Sequence, residues 1–367
     1  MPPMTDTPLR IAMIGTPFYE IPPTGYGGIE LICADLVDAL VARGHHVTLF
    51  SGGSRTGTRA TFVSTTPELQ DARLGQAMPE LLHAARVHRL LQSARDDFDI
   101  VHDHSAAGPL MAGTRRAPTV VTVHGEADGE LCDLYADLGD TVQLVAIAAF
   151  QRDRRSDLNW VGTIHNAVDP SRFVPEHHPD GPVLWLARFT PDKGPDLAIE
   201  ACRTAGLPLV LAGKCNEPEE QEYLDTKIRP MLGSGVELVL NADRATTLEL
   251  LTAARSLIMP IRWHEPFGMV MIEAMASGTP VVALRRGSVP EVVEHGRTGW
   301  ICDEPAELPA WLTRSGELDP AACVARVREH FSAEGMAAAY EEVYRNAIPA
   351  RRPAGAMETV AGGSVQQ

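Results

Sequence analysis

Two glutamates eight residues apart, Glu265 and Glu273, frame the run Glu-Pro-Phe-Gly-Met-Val-Met-Ile-Glu. Pro266 suits the first turn of a helix, Gly278 suits its end, and Pro280 forbids continuation; Pro-Val-Val-Ala then reads as a buried strand. Glu265 therefore precedes a helix that contains Glu273. At about 1.5 Å of rise per residue the carboxylates stand roughly 12 Å apart, with the free N–H groups of Phe267, Gly268, Met269 and Val270 between them. Acids that hydrolyse a glycosidic bond sit within roughly 5 to 9.5 Å of each other, so this pair is badly spaced for hydrolysis. It suits a long anionic ligand instead, with a diphosphate on the helix N-terminus, sugar hydroxyls on one acid and ribose hydroxyls on the other.

Four other groups bear on the same chemistry. Ala187-Arg188-Phe189-Thr190-Pro191-Asp192-Lys193-Gly194 follows an apolar run and sets two cations at a strand end, where a departing diphosphate needs positive charge. Lysine is scarce, with Lys193, Lys214 and Lys227 set against 29 arginines, so Lys193 is the more informative. The loop Pro22–Glu30 carries Gly27 and Gly28 ahead of a helix beginning near Ile29, and both glycines can offer N–H groups to phosphate with no Cβ in the way. A dinucleotide fingerprint fails here, because Gly15 is too far upstream and Glu30 stands where its third glycine belongs. Thr122-Val123-His124-Gly125 ends a buried run, as does Val101-His102-Asp103-His104; a strand-end histidine alone is more often structural than catalytic. Asp103 and His104 read as cleft lining with an acceptor role. Asp97-Phe98-Asp99 imitates a metal-holding Asp-x-Asp string, but it leads into a strand rather than out of one, which predicts no metal site.

The segment from Glu265 to Ala283, together with Arg188 and Lys193-Gly194, resembles the signature of the retaining glycosyltransferases of family 4, which have the GT-B fold. That resemblance implies two Rossmann-like parallel α/β domains facing across a cleft, with a C-terminal helix crossing back to the first. It implies that Glu265 bonds the donor hexose, Glu273 the ribose, and Arg188 and Lys193 the diphosphate. Gly27 and Gly28 reach the donor phosphates across the cleft, and His124 lines the donor sugar at the reaction centre. On this reading the catalytic set is His124, Glu265, Arg188 and Lys193, with Phe267, Gly268, Met269 and Val270 also on the donor. The donor is a nucleotide diphosphate sugar, UDP first, and the acceptor a small molecule, glycan or lipid-linked hydroxyl. No further cofactor is implied. The Pro-Pro-Thr-Gly-Tyr-Gly-Gly loop and the short chain are similar to members that decorate natural products. Epimerase, phosphorylase and non-catalytic nucleotide-sugar binder are the rival readings.

The elements that must position these residues follow from alternating apolar runs and helical patterns, Leu9 to His165 and again Val183 to Ile301, the rhythm of parallel α/β sheets. Strands are expected at 9–14, 46–50, 100–101, 119–123, 143–147 and 163–164, then at 183–187, 207–212, 236–240, 256–259 and 281–283. With 367 residues and 44% hydrophobic composition, two domains are expected: 1–170 plus a helix at 331–350, and 171–330. The aperiodic stretch 166–181 reads as the hinge and 351–367 as a disordered tail. The run Pro79–Arg95, with Glu80, Asp96 and Asp97 about it, reads as a solvated helix face. Six scattered cysteines predict free thiols, and no apolar run is long enough to span a membrane, so a cytoplasmic protein is expected. A net charge of −16 argues against nucleic acid as a partner.

Overall fold

The computed structural model describes residues 7–25, 27–93, 98–176 and 178–349; the expected tail at 351–367, together with Arg95, Asp96 and Asp97, lies outside them. Among the described residues the chain forms two parallel sheets. The first contains β1 (Arg10–Ile14), β2 (His46–Gly52), β3 (Thr61–Thr66), β4 (Ile100–Asp103), β5 (Thr119–Val123), β6 (Gln143–Ala146) and β7 (Trp160–Thr163), in the order β3-β2-β1-β4-β5-β6-β7. The second contains β8 (Val183–Leu186), β9 (Leu209–Gly213), β10 (Val236–Leu240), β11 (Ser256–Met259), β12 (Val281–Leu284) and β13 (Gly299–Cys302), ordered β10-β9-β8-β11-β12-β13.

Helices connect and cover the strands. They are α1 (Gly28–Ala42), α2 (Ala77–Ser93), α3 (Glu130–Leu138) and α4 (Ala149–Arg154) on the first sheet. The second sheet carries α5 (Pro195–Ala205), α6 (Pro218–Tyr223), α7 (Arg244–Ala253), α8 (Met269–Ala276), α9 (Val289–Val292), α10 (Leu308–Arg314) and α11 (Pro320–His330). The last helix, α12 (Ala333–Ala347), returns to the first domain. The central strands are apolar on both faces, β5 being wholly buried Thr-Val-Val-Thr-Val, as sheets covered on both sides require. In each sheet the strand order reverses beside the first strand, between β1 and β4 and between β8 and β11. Such switch points open a crevice at the carboxyl ends of the strands.

Two strands were not expected from the sequence, and both lie at sheet edges. β3 (Thr-Phe-Val-Ser-Thr-Thr) pairs only with β2 and is half exposed, so it carries no apolar run; β13 begins at Gly299 and pairs only with β12. The first part of the expected hinge, residues 166–176, is tied down: Val168 pairs with Ser332, Phe173 is in the second-domain core, and Arg172 bonds Asp35 of α1 at 2.6 Å. All six cysteines are buried free thiols. Among the described residues, no helix is long and apolar enough to cross a membrane.

α12 is held to the first domain by chemistry as well as by packing. Met336, Ala337, Tyr340 and Tyr344 join the core of β1, β2 and α1, while Glu341 accepts from Arg43 at 2.7 Å and from Arg345 at 2.6 Å. Burial alone would push the Glu341 carboxyl up, but the bonds from Arg345, Arg43 and His45 outweigh it and hold it at about 2. The folded value lies below the ordinary 4.5, so its contribution is present above pH 4.5 and lost as the pH falls toward 2. Glu341→Gln is expected to cost about 1–3 kcal/mol at neutral pH. Calorimetric unfolding of both proteins should show the gap narrowing below pH 4.5; a gap independent of pH would refute the assignment.

Candidate active site

The second-domain wall is built at the switch point of its sheet. After β8 the chain turns at Ala187, whose carbonyl lies so close to Gly213 of β9 that a Cβ there would approach it to 1.6 Å. Only glycine lets the turn sit on the sheet. Trp185 donates Nε1 to the Lys193 carbonyl at 3.0 Å, Gly194 takes a left-handed conformation (φ 65°) as the cap of α5, and Arg262 bonds both Asp196 (2.6 Å) and the Pro191 carbonyl (2.7 Å). These ties leave the Lys193 side chain projecting toward the end of β11. Its Nζ donates to Glu265 Oε2 at 2.5 Å and lies 4.4 Å from the centre of the Trp263 ring. Arg188 reaches Glu220 at 3.6 Å.

Glu265 sits in a loop rather than against a helix. α8 begins at Met269, three residues after Pro266, because Gly268 is left-handed (φ 74°) and breaks the run. The loop is anchored from behind by the segment after β12: Ser288 donates its N–H to the Glu265 carbonyl (3.1 Å) and its hydroxyl to the Phe267 carbonyl (2.7 Å). Phe267 is thus a core residue, packed on Phe331 and His165. Met271 N–H turns back to the Gly268 carbonyl at 3.0 Å, so the N–H groups of Met269 and Val270 are the donors at the helix end without an intrahelical acceptor. Glu273, one turn further on, accepts from Arg244 at 2.6 Å. The expected 12 Å of continuous helix is therefore a loop followed by a helix. Its two acids are each matched by a cation.

The first-domain wall uses the carboxyl ends of β1, β4 and β5. Gly27 caps α1 (φ 150°), with Pro23 and Glu30 where its Cβ would stand, and Gly28 opens the helix with open space where a Cβ would stand. A cavity of about 250 Å³ lies beside them, lined by Thr16, Glu30, Glu80, His104, His124 and Tyr135 among others. His104 Nδ1 faces His124 Nε2 at 2.8 Å, and the buried His102 behind them bonds Thr122 and Tyr344, each at 2.7 Å. Burial pushes the rings down, His124 to about 4 and His102 to about 3, and His104 well below its ordinary value. All three are neutral at physiological pH, so they act as hydrogen-bonding groups there.

Asp103 does not line the cavity, contrary to expectation. It is fully buried, bonds the Ser105 hydroxyl (2.7 Å) and pairs with Arg115 at 2.8 Å, holding the turn after β4 that aims His104. Glu80 also departs from its reading as a solvated face, since it lines the cavity and accepts from the Ala106 N–H at 3.2 Å.

The two halves of the chain match two family models in tandem, Glycosyltransferase Family 4 over residues 26–172 and Glycosyl transferases group 1 over residues 171–321. The chain belongs to glycosyltransferase family 4. Its two facing Rossmann-like domains are the GT-B fold. Among curated proteins it is similar to a glycogen synthase of Mycobacterium tuberculosis, 27% identical over 87% of this chain and 89% of that one. Among solved structures it is similar to AviGT4, a glycosyltransferase involved in avilamycin A biosynthesis, with a TM-score of 0.72, 24% identity, and coverage of 93% and 98%. Anabaena Alr3699/HepE in complex with UDP and glucose superposes with a TM-score of 0.71 at 18% identity, covering 92% of this chain and 99% of that one.

In this family 4 chain, Arg244 and Glu30 were not singled out from the sequence. Arg244 follows the cap residue Asp243 directly after β10, so a cation just past a strand end was the available signal. Glu30 was visible only as the residue in place of a third glycine. The neutrality of the histidine group is testable by ¹⁵N NMR of the imidazoles, which should show no titration of His102, His104 or His124 between about pH 7.5 and 5.5. A ring titrating near its ordinary 6.5 would show that the group is solvated.

Proposed function

We propose that this glycosyltransferase moves a hexose-type sugar from a nucleotide diphosphate donor, a UDP-sugar first, to an acceptor hydroxyl with retention at the anomeric carbon. The observation that carries the reading is the row Arg188, Lys193–Glu265, the start of α8, and Glu273–Arg244, set along one wall of the cleft. A diphosphate would exchange places with the carboxylates as partner of Arg188 and Lys193, and would take the N–H groups of Met269 and Val270. Glu265, released, accepts from the donor hexose and Glu273 from the ribose, while Gly27 and Gly28 approach the phosphates from the other wall and His124 borders the sugar. The occurrence of UDP and glucose in the complex of Alr3699/HepE supports this choice of donor.

In the step itself the acceptor oxygen attacks the anomeric carbon on the face the phosphate leaves. The carbon–oxygen bond to the phosphate breaks, and the hydroxyl proton passes to a departing phosphate oxygen. Charge growing on the diphosphate is met by Arg188 and Lys193 rather than by a metal, so transfer should persist in excess chelator. The cavity on the facing wall provides room for a second substrate, which favours transfer over simple donor binding.

Lys193→Ala and Glu273→Ala should each lower kcat/KM on the order of 10²–10³-fold, with an unchanged far-ultraviolet spectrum. Turnover would be followed with labelled nucleotide sugars over an acceptor panel. Near-normal activity in either variant, or interconversion of the free donor without transfer, would overturn the reading.

A further inference from the structure

We propose that the first-domain cavity selects an acceptor about one ring in size that bears an amino group, with Glu30 and Glu80 binding the ammonium and His104 a neighbouring hydroxyl. This rests on the transfer reading only in calling the occupant an acceptor; the cavity and its charges stand whatever the donor.

Size comes first. A cavity of about 250 Å³ exceeds the space of a few waters and suits a single sugar or cyclitol ring. Phe18, Tyr19, Ile29, Leu131 and Tyr135 give it apolar walls against which the C–H faces of such a ring can lie.

Charge decides the class. Elsewhere the chain pairs its buried or half-buried acids with cations: Asp103 with Arg115, Glu265 with Lys193, Glu273 with Arg244 and Glu341 with Arg43. Glu30 and Glu80 are exceptions. Among the described residues neither has a cationic partner, and none of the described residues lining the cavity is Lys or Arg. Lys214, which lies across the cleft near Tyr19, is engaged with Glu217 at 2.9 Å.

Glu30 is 4% exposed, with the Thr16 hydroxyl as its side-chain partner, and Glu80 has the Ala106 N–H. Burial, and for Glu80 also the nearby Glu30 and Asp103, raise both carboxyls above their ordinary range. Two acids facing one apolar hollow without a counter-ion form a site for a cation and a poor one for a phosphate.

The unpartnered ring nitrogen is independent of the acids. His104 is 4% exposed, its Nδ1 is engaged by His124, and its buried Nε2 has no partner although the residue lines the cavity. In either tautomer Nε2 can bond a ligand hydroxyl, as acceptor or as donor. A ring carrying a hydroxyl beside an ammonium meets all three groups. A phosphorylated ring would meet two carboxylates and no cation.

Ligand-observed NMR titrations of the full chain with D-glucosamine, D-glucose and D-glucose 6-phosphate test this. Glucosamine should bind at least about tenfold more tightly than glucose, and glucose 6-phosphate should not displace it. Glu80→Gln and Glu30→Gln, which keep the hydrogen bonds to Ala106 and Thr16, should erase most of the preference while leaving the affinity for glucose within about threefold. The far-ultraviolet spectrum and thermal unfolding of each sample serve as the folding control. UDP binding, measured alongside on the unaltered chain, reads the donor site, and its failure would remove the donor assignment and leave this one standing. Equal binding of glucosamine and glucose, displacement by the phosphate ester, no sugar binding, or an undiminished preference in the folded variants would each overturn the proposal.

Discussion

The close approach of Gly287 to the backbone of Glu265 is the constraint on which the donor wall depends. Gly287 is left-handed (φ 54°), and a Cβ there would come within 2.2 Å of the Glu265 carbonyl oxygen. Both the conformation and the space exclude a side chain. With that approach permitted, Ser288 can bond two carbonyls of the Glu265 loop and fix it over Lys193. The same short segment then reaches the other domain. Glu291 accepts from the N–H groups of Ala149 (2.7 Å) and Phe150 (3.1 Å) at the start of α4, and it lies 3.0 Å from His165 Nε2. The residues that hold Glu265 in place are therefore within a few positions of one that bonds across to the other domain. A change in domain angle cannot leave the Glu265 loop indifferent.

The ion pairs of the donor wall can be ranked by what surrounds them. Lys193–Glu265 and Arg244–Glu273 are mostly buried but keep part of each side chain open to solvent, so on the proposed reading a ligand carrying two phosphate charges can exchange with the carboxylates without stranding a fully enclosed charge. Asp103–Arg115 is different. Both side chains are almost fully enclosed, and removing either would strand a buried charge at a cost of about 3–5 kcal/mol. That difference separates exchangeable pairs from the structural one, although all three appear in the sequence as an acid and a base of similar kind.

Much of the fold was legible because parallel strands buried on both faces leave unmistakable apolar runs, and because Pro and Gly mark the turns between them. The edge strand β3 escaped since it buries only part of itself, whereas β13 is wholly buried but only four residues long and opens on Gly299, which leaves too short an apolar run to read. The start of α8 was misplaced because Pro266 is as compatible with a loop as with a first helical turn; the left-handed Gly268 decides the matter, and no spacing rule reveals its φ. In the candidate site, local motifs singled out Arg188, Lys193, Glu265, Glu273 and His124. The partners Arg244 and Ser288 come from other strand ends and meet the motif only through the order of the sheet. Asp103 and His104 are neighbours in sequence, yet one turns into the core and the other toward the cavity, a divergence fixed by Arg115 twelve residues on.

The two walls of the cleft differ most in how their acids are balanced. On the second domain each acid of the site faces a cation, an arrangement that can accept an anion by rearranging partners and then recover them when it leaves. On the first domain the histidines are neutral and the cavity acids have no counter-ion among the described residues, so an anion entering the cavity would meet two acids, with only the N–H groups at the start of α1 to favour it. On the proposed reading a diphosphate is thereby held mainly by the second-domain wall. On the same reading the group that receives the sugar would lie against the other wall, whose apolar rings and remaining polar atoms suit a hydroxyl-bearing ring. On the proposed reading the orientation of the donor follows from this asymmetry: its charged end would be held on the second domain and its sugar end would reach His124.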